Sequence, residues 1–576
     1  MEDLLNFSDL QHLIAVKLCF FLFIIMGLVW IYKKWSAGSF LFLTGVLTAL
    51  AYFILVRGTM LMFWGLTADE ITIASMYEMF AHGSMLSDFA YAHLPPFYPP
   101  LWFWMFGWVG GLINYNGVQI AKLASFATIL LFPLFFYLLQ KWFWKKQNGE
   151  AGDMPGRIAW LLAPLLLFVF IDWDAIIIKP YELVSAALVV LWAVLIIYQL
   201  NRDKLNGMSI LGFGITGGIL FILFYFWFFL VAIGIALVNL FSKSRIGKKE
   251  YMSLFATGVV ALVVGAFYWA PLARAYAEIG SENWQLGFFV TEWISTPRDY
   301  LEFSFRGLLM LMGLITLIIL RKRQYIRGLL GLFTASYIWQ LMGMITILFF
   351  ASPLQENKGF YFFNRAVIAL ALAYGIEKLW QYYTARYPEI KWQQGVAVIG
   401  LLLISTQMIF GLFVDEQKIY SVRQRAKQIS SEVRPGVQSL IEYLEDNQDV
   451  YNQLVLTSGI PELHAFLPLN DALYFNQHNS HPAALFSERF YYLKNLEGIY
   501  EPELMQQKMN EFPFGKIDLF IFYKGVDNVY PLYYNLDNFP YRLKEEVITL
   551  PRLAFADPGF ELVYENNNYI VFKRQK

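Results

Sequence analysis

Residues 181–199 read Tyr-Glu-Leu-Val-Ser-Ala-Ala-Leu-Val-Val-Leu-Trp-Ala-Val-Leu-Ile-Ile-Tyr-Gln, with one charged side chain, Glu182, near the start. As a helix the stretch is about 28 Å long, close to the roughly 30 Å of a bilayer's hydrocarbon core. Eleven more apolar runs lie at 13–32, 38–56, 118–140, 158–172, 209–224, 226–241, 251–271, 306–320, 328–351, 363–380 and 393–414. The shorter ones suit tilted or interior helices. The expected fold class is therefore mainly α: a polytopic membrane helical bundle of about 12–13 membrane helices.

Composition agrees. Of 576 residues, 58% are hydrophobic and 15% charged, against roughly 45–50% and 25% in an ordinary soluble domain. Lipid bilayer is thus an expected partner. Lys plus Arg and Asp plus Glu are both 44, so there is no basic surplus and no nucleic-acid partner is expected. The single cysteine, Cys19, supports neither a disulfide framework nor a thiolate metal site. Residues 13–32 could pass for a signal peptide, but the segment before them is acidic and a second span follows at once, so the run is read as a retained helix.

Basic clusters at Lys33 and Lys34, Lys141 to Arg157, Arg202 and Lys204, Lys243 to Lys249, Arg321 to Arg327, and around Arg386 and Lys391 alternate with acidic or neutral loops. The positive-inside rule places all six in the cytoplasm. The N-terminus, 57–100, 172–180, 272–305, 352–362 and everything after Val414 then lie outside. Leu101–Ile113 is apolar but too short to span comfortably. Parity makes it a re-entrant or juxtamembrane helix; otherwise 209–241 is one bent span and the upstream sides are inverted, which would put Lys145 and Lys146 outside.

After Val414 the charge density rises and the periodicity changes, dividing the chain into a membrane domain, 1–414, and a small extracytoplasmic α/β domain, 415–576. There Val437–Leu444 and Ala483–Leu493 read as helices and Gln453–Thr457 and Ile517–Tyr523 as strands. Phe560–Tyr564 and Tyr569–Lys573 read as a terminal hairpin. No phosphate-binding glycine loop is present in it.

Charges near membrane depth are costly and mark cavities. Asp69 and Glu70 stand in Thr67-Ala-Asp-Glu70, just after Phe63-Trp-Gly65 in the first outer loop. A carboxylate there can take a proton from an acceptor hydroxyl or hold a divalent cation, although an ordinary helix start at Asp69 explains the same residues. Asp88 precedes His93-Leu-Pro-Pro-Phe-Tyr-Pro-Pro100, then Leu101-Trp-Phe-Trp104, an extended proline path followed by aromatics. Tyr98 and Trp102 suit either a sugar face or an interfacial belt. Lys179-Pro-Tyr181-Glu182 puts a cation and a carboxylate at the start of a helix, where Lys179 can meet a phosphate. Lys358 and Arg365 bracket a late loop, with Arg365 either a phosphate ligand or a snorkelling anchor.

The acidic first loop, the second polar loop, the basic group before a late helix and the outer C-terminal domain together resemble glycosyltransferases of the GT-C class, which use polyprenyl-phosphate sugars. His93–Trp104, Lys179–Glu182 and Asn479–Arg489, which contains His481, are more specifically similar to the galactan arabinofuranosyltransferases of actinobacterial cell walls. The resemblance implies a polyprenyl-phosphate-linked donor, a polysaccharide acceptor, and Asp69 as general base by position. Expected donor and acceptor residues are Asp88, His93, Tyr98, Trp102, Lys179, Tyr181, Glu182, Lys358, Arg365 and His481. Low Arg and Ala beside abundant Phe, Asn, Lys and Ile depart from the high-GC bacteria that make that arabinan, so the pentose and the acceptor stay open. A transporter or flippase, or a non-catalytic assembly subunit, stands as the alternative; no internal repeat favours the first.

Overall fold

The computed structural model describes residues 7–33, 36–57, 59, 61–62, 69–146, 154–202, 205–241, 247–282, 298–350, 354, 358–388, fragments within 395–407, 436–525, 528–538, 543–556 and 559–575. In chain order the helices of the first part are α1 (Phe7–Lys33), α2 (Ala37–Val56), α3 (Asp69–His82), α4 (Leu101–Leu112), α5 (Gly117–Lys146), α6 (Arg157–Phe170) and α7 (Trp173–Ile178). They continue as α8 (Pro180–Arg202), α9 (Gly207–Phe224), α10 (Trp227–Phe241), α11 (Lys248–Ile279), α12 (Arg298–Leu301), α13 (Phe305–Ile319), α14 (Gln324–Phe350) and α15 (Arg365–Arg386). Eight helices among the described residues are long and apolar enough to cross a membrane, and α4, α6, α10 and α13 are shorter apolar helices. The run at 393–414 lies mostly outside the described residues.

Two expectations change here. The segment 57–100 is not all loop: α3 runs through it, and every residue from Glu70 to Phe80 is buried. With no polar face and with β-branched Ile71, Thr72 and Ile73 in its first turns, it carries no amphipathic stripe to read. The loop expected up to Arg365 instead winds into a π-turn, Phe360–Asn364, that runs straight into α15. The 12 residues of α4 cover about 18 Å, short of the membrane core. Both ends stay beside α3, through Trp104 Nε1 donating to Met85 O at 2.5 Å and His82 Nε2 at 2.9 Å from Tyr115 O.

Packing within the bundle uses small residues and internally satisfied hydroxyls. In α2, Thr44 and Thr48 each donate to the carbonyl four residues back at 2.8 Å, leaving no open hydroxyl toward lipid. Gly45 lets α5 approach so closely that an added Cβ would sit 2.3 Å from the Leu130 carbonyl oxygen. In α9, Gly214 and Gly218 receive Val260 and Val264 of α11 in the same way. Gly45→Ala is expected to destabilise the detergent-solubilised protein by roughly 1–3 kcal/mol through overpacking. Gly212→Ala, which meets nothing within 4 Å, should be neutral or gain up to about 1 kcal/mol of helix propensity. Thermal unfolding of the two variants checks this, and equal shifts would remove the packing argument.

The loops sort into two sets. At one end, Glu377 of α15 accepts from the Gly156 and Ala159 amides at 2.9 and 2.8 Å, capping α6, and Gln324 donates to Tyr198 O at 3.1 Å. At the other end gather 69–100, 172–182, 298–306, 358–365 and the C-terminal region.

The C-terminal region contains α16 (Val437–Asn447), β1 (Val455–Thr457), α17 (Pro461–Phe466), α18 (Phe486–Lys494), α19 (Pro502–Asn510), β2 (Leu519–Tyr523), β3 (Val529–Asp537), β4 (Leu543–Pro551), β5 (Phe560–Glu565) and β6 (Tyr569–Arg574). One sheet has the order β1-β2-β6-β5, with β1 and β2 parallel and the other pairs antiparallel; β3 and β4 form a separate hairpin. The helix expected from Ala483 starts only at Phe486, because Pro482–Ala484 form a 3₁₀ turn and Leu485 takes a left-handed φ of 52°. The β3–β4 hairpin escapes sequence reading because Pro531 interrupts the run, and such a strand survives only by pairing on one side. Tyr91 Oη lies 2.9 Å from Ser480 Oγ, Asn479 donates to Thr72 Oγ1 at 2.7 Å, and Asp471 N donates to Ala90 O at 2.7 Å. The region is thereby seated on α3 and the proline-rich loop.

Candidate active site

Pro180 forces the preceding residue out of helical geometry. Lys179 therefore closes the six-residue α7 at φ −121°, ψ 54°, and its side chain leaves the helix axis. Its Nζ lies 2.5 Å from Asp69 Oδ2 and 4.0 Å from Glu182 Oε1, and Glu182 Oε1 in turn accepts from Lys358 Nζ at 2.8 Å. The result is a chain of alternating sign, Asp69–Lys179–Glu182–Lys358, drawn from α3, the α7–α8 junction and the loop before α15. Its formal charge sums to zero. Lys358 also stands 5.4 Å from the Phe224 ring centroid, and Tyr181 packs against Phe103 and Phe224.

Asp69 is the open end of this chain. Its side chain is 45% exposed, whereas Glu182 is 3% exposed. It is nevertheless deep enough that burial is the largest single influence on its carboxyl, pushing it up. Lys179, and behind it Lys358 and His478, outweigh that and hold it below the usual carboxylate range. Burial pulls the Lys179 ammonium down, while Asp69 and Glu182 more than reverse this and raise it. Both are charged near neutral pH. Tyr98 borders the same cluster, with burial first and then Asp69 raising its hydroxyl.

A second cluster sits at the other end of α7, about 9 Å away by helix rise. Asp172, the residue before α7, is bonded by Arg306, by Tyr361 Oη at 2.7 Å and by Arg365 Nη1 at 3.4 Å. Arg365 also reaches Asp299 at 3.6 Å and lies 4.4 Å from the Tyr361 ring. Burial raises the Asp172 carboxyl, but Arg306 and Arg365 bring it down to about 2. The π-turn before α15 turns Tyr361 toward Asp172.

The structure thus brings Asp69, Tyr98, Lys179, Tyr181, Glu182 and Lys358 together, with Arg365 in the neighbouring cluster. It separates the rest. Glu70 is buried on the other side of α3, an electrostatic neighbour of Lys122. Asp88 accepts from the Ala90 and Tyr91 amides at 3.1 and 3.3 Å and is pushed to about 7 by burial, which those bonds only partly oppose. His93 lies 3.5 Å from Arg489 and is held at about 4 by burial and that guanidinium. Asp88 and His93 belong to the seam with the C-terminal region. His481 caps its own turn by accepting from Ala483 N at 2.9 Å, and Trp102 donates to Tyr77 Oη at 2.9 Å. Among the described residues no group of three or more His, Cys, Asp or Glu is arranged to hold a metal ion.

Sequence reasoning missed Arg306, Tyr361, Asp299 and His478. Asp172 entered only as the first residue of the outer loop 172–180. Arg306, beginning an apolar helix, carries no signal beyond its charge, and His478 lies one residue before the stretch that attracted notice.

The family model for the arabinofuranosyltransferase N-terminal region matches residues 10–355. The chain belongs to this family. As a member of the arabinofuranosyltransferase family it is a multi-pass membrane protein, and the matched region holds Asp69, Tyr98, Asp172, Lys179 and Glu182. It is 23% identical over 347 residues to the galactan 5-O-arabinofuranosyltransferase of Mycobacterium leprae, covering 56% of this chain and 54% of that protein. The enzyme of the same name from Mycolicibacterium smegmatis is 22% identical over 531 residues, covering 88% of this chain and 82% of the relative. Among solved structures, ArnT from Cupriavidus metallidurans bound to undecaprenyl phosphate is similar at a TM-score of 0.48 and 12% identity, covering 93% of this chain and 98% of that one.

Proposed function

We propose that this membrane glycosyltransferase moves a pentofuranose, best matched by arabinofuranose, from a polyprenyl-phosphate carrier to a hydroxyl of a surface polysaccharide such as galactan. The alternating chain Asp69–Lys179–Glu182–Lys358 carries the reading. In the reaction the acceptor O–H proton passes to the Asp69 carboxylate while the acceptor oxygen bonds the anomeric carbon and the bond from that carbon to phosphate oxygen breaks. The lipid leaves as a phosphate monoester with one more negative charge than the donor diester. Fixed cations at that oxygen are worth most where water is excluded. Lys179 and Lys358 are those cations. Arg365 and Arg306, joined through Asp172, hold the α7 loop that aims Lys179.

Phosphate has to replace a carboxylate already on Lys179, and the half-open Asp69 yields more readily than the buried Glu182. As Lys179 turns to the phosphate, Asp69 loses the cation that lowers its basicity. Donor binding and base activation are then one event. The acceptor meets a competent base only with the donor in place.

On this reading the division near Val414 separates the membrane domain from an extracytoplasmic one, and the site faces away from the cytoplasm. A cysteine at exposed Glu488 should react with membrane-impermeant maleimide on intact cells, while one at exposed Lys249 should not; reversed labelling would invert the topology. Transfer of labelled pentose from purified lipid donor to a galactofuranose oligosaccharide tests the activity. A wild-type protein that transfers no lipid-linked pentose would favour a transporter or an assembly subunit.

A further inference from the structure

The β3–β4 hairpin brings one more carboxylate to the site. Asp537 ends β3, and its side chain is only 7% exposed. Neither carboxylate oxygen has a hydrogen-bond donor among the described residues. Burying an anion without donors is costly, and most buried polar atoms in native proteins are satisfied. The position is nonetheless firmly held. Asn535 bridges to Asn476, the Asp537 amide donates to Gln477 Oε1 at 2.9 Å, and Gln477 Nε2 donates to Glu282 Oε1 at 3.2 Å. Glu282 is itself fixed by the Ser487 amide at 3.0 Å.

His478 stands between Asp537 and the ion chain. Its Nδ1 is 3.8 Å from Asp537 Oδ1, and its ring is close enough to Asp69, Lys179 and Lys358 for each to influence its protonation. Burial, the largest effect, keeps the imidazole neutral at pH 7. A neutral imidazole carries one N–H donor and one lone pair. Through His478 the C-terminal region, and not the membrane helices, carries Asp537 toward the proposed transfer centre.

A ligand for this place must donate hydrogen bonds to a carboxylate and exchange them with a neutral imidazole. An anion is disfavoured here by Glu282 and by Asp537, whose carboxyl burial and then Glu282 push up to about 7. A neutral polyol satisfies both requirements, because each hydroxyl is donor and acceptor and two adjacent hydroxyls can engage both carboxylate oxygens. We propose that His478 and Asp537 form the subsite that holds the non-reacting hydroxyls of the acceptor sugar and sets its reacting hydroxyl against Asp69. This rests on the reading of Asp69 and Lys179 as the transfer centre. It gives the two substrates separate origins: a lipid-borne donor reaches the lysines from the membrane helices, and the sugar acceptor is received by the C-terminal region.

The test uses full-length protein in nanodiscs, with a synthetic galactofuranose oligosaccharide as acceptor and decaprenyl-phosphoryl arabinofuranose as donor. Asp537→Asn should raise the acceptor KM by about tenfold or more, the scale of a lost hydrogen bond to a charged acceptor. The donor KM should stay within about twofold, and thermal unfolding should occur at the same or a higher temperature, since the change removes an unsatisfied buried carboxyl group. His478→Gln should also raise the acceptor KM. An unchanged acceptor KM in Asp537→Asn, or a lowered unfolding temperature with both KM values altered, would overturn the subsite. If the wild type transfers no pentose, direct binding of the oligosaccharide decides separately. Binding weakened about tenfold by Asp537→Asn supports the subsite although the transfer reading falls, and equal binding of wild type and variant overturns it.

Discussion

Asp69→Asn is expected to lower turnover by roughly 10²-fold or more, the typical size of general-base assistance, with donor affinity equal to or tighter than that of the wild type because the carboxylate competing for Lys179 is gone. Asparagine keeps the volume of aspartate and can still present an oxygen to Lys179, but it cannot accept the acceptor proton. Glu70→Gln is the comparison. Glu70 occupies the buried face of α3 beside Lys122, away from the Asp69–Lys179 pair, so its loss should change stability more than chemistry. Single-turnover transfer with donor binding measured in parallel separates the two. Wild-type turnover in Asp69→Asn would exclude it as the base and turn attention to Asp537.

Lys179→Met should weaken donor binding by about 2–5 kcal/mol, the range for truncating one partner of a buried charge pair, and should move the pH dependence as well. In the wild type Lys179 holds the Asp69 carboxyl low despite burial, so the base remains ionised well below neutrality. Without Lys179, burial is opposed only by the more distant Lys358 and His478, and the carboxyl rises. Since the base works deprotonated, the acid limb of kcat/KM, which reports the free enzyme, should shift to higher pH. Lys179→Arg should retain the charge and most of the low acid limb. An unmoved limb in Lys179→Met would mean that the 2.5 Å contact does not control the base.

The membrane architecture was legible in the sequence because lipid imposes a strict rule: a spanning helix must satisfy its own backbone and present a long apolar run. Asp69, Lys179 and Glu182 were legible for a related reason, being charges placed where charge is expensive. The pairing among them was not, since α3 is buried all round and shows no face to predict from. Nor could periodicity show that Pro180 turns Lys179 away from α7 toward a residue over a hundred positions earlier. His93 and His481 attracted notice by residue type, yet one lies beside Arg489 and the other caps its own turn. His478, between them and the ion chain, has no pattern around it. The β3–β4 hairpin that brings Asp537 up was hidden by Pro531, the residue that confines the strand to two-strand pairing.

The zero sum of the Asp69–Lys179–Glu182–Lys358 chain bears on how a ligand finds it. A surface of one sign pulls counter-charges from solution and speeds their arrival, an effect that fades as ionic strength rises. Two lysines each covered by a carboxylate broadcast almost nothing past the first solvent layer, and at physiological ionic strength a residual field dies within about 8 Å. Soluble phosphates are not drawn in. A phosphate tethered to a lipid is different, because it is confined to two dimensions and delivered at a fixed depth, so encounter comes from lateral diffusion. Capture should then be largely indifferent to salt, with discrimination between free and lipid-borne phosphate coming from where the ligand travels and not from how strongly the protein attracts it.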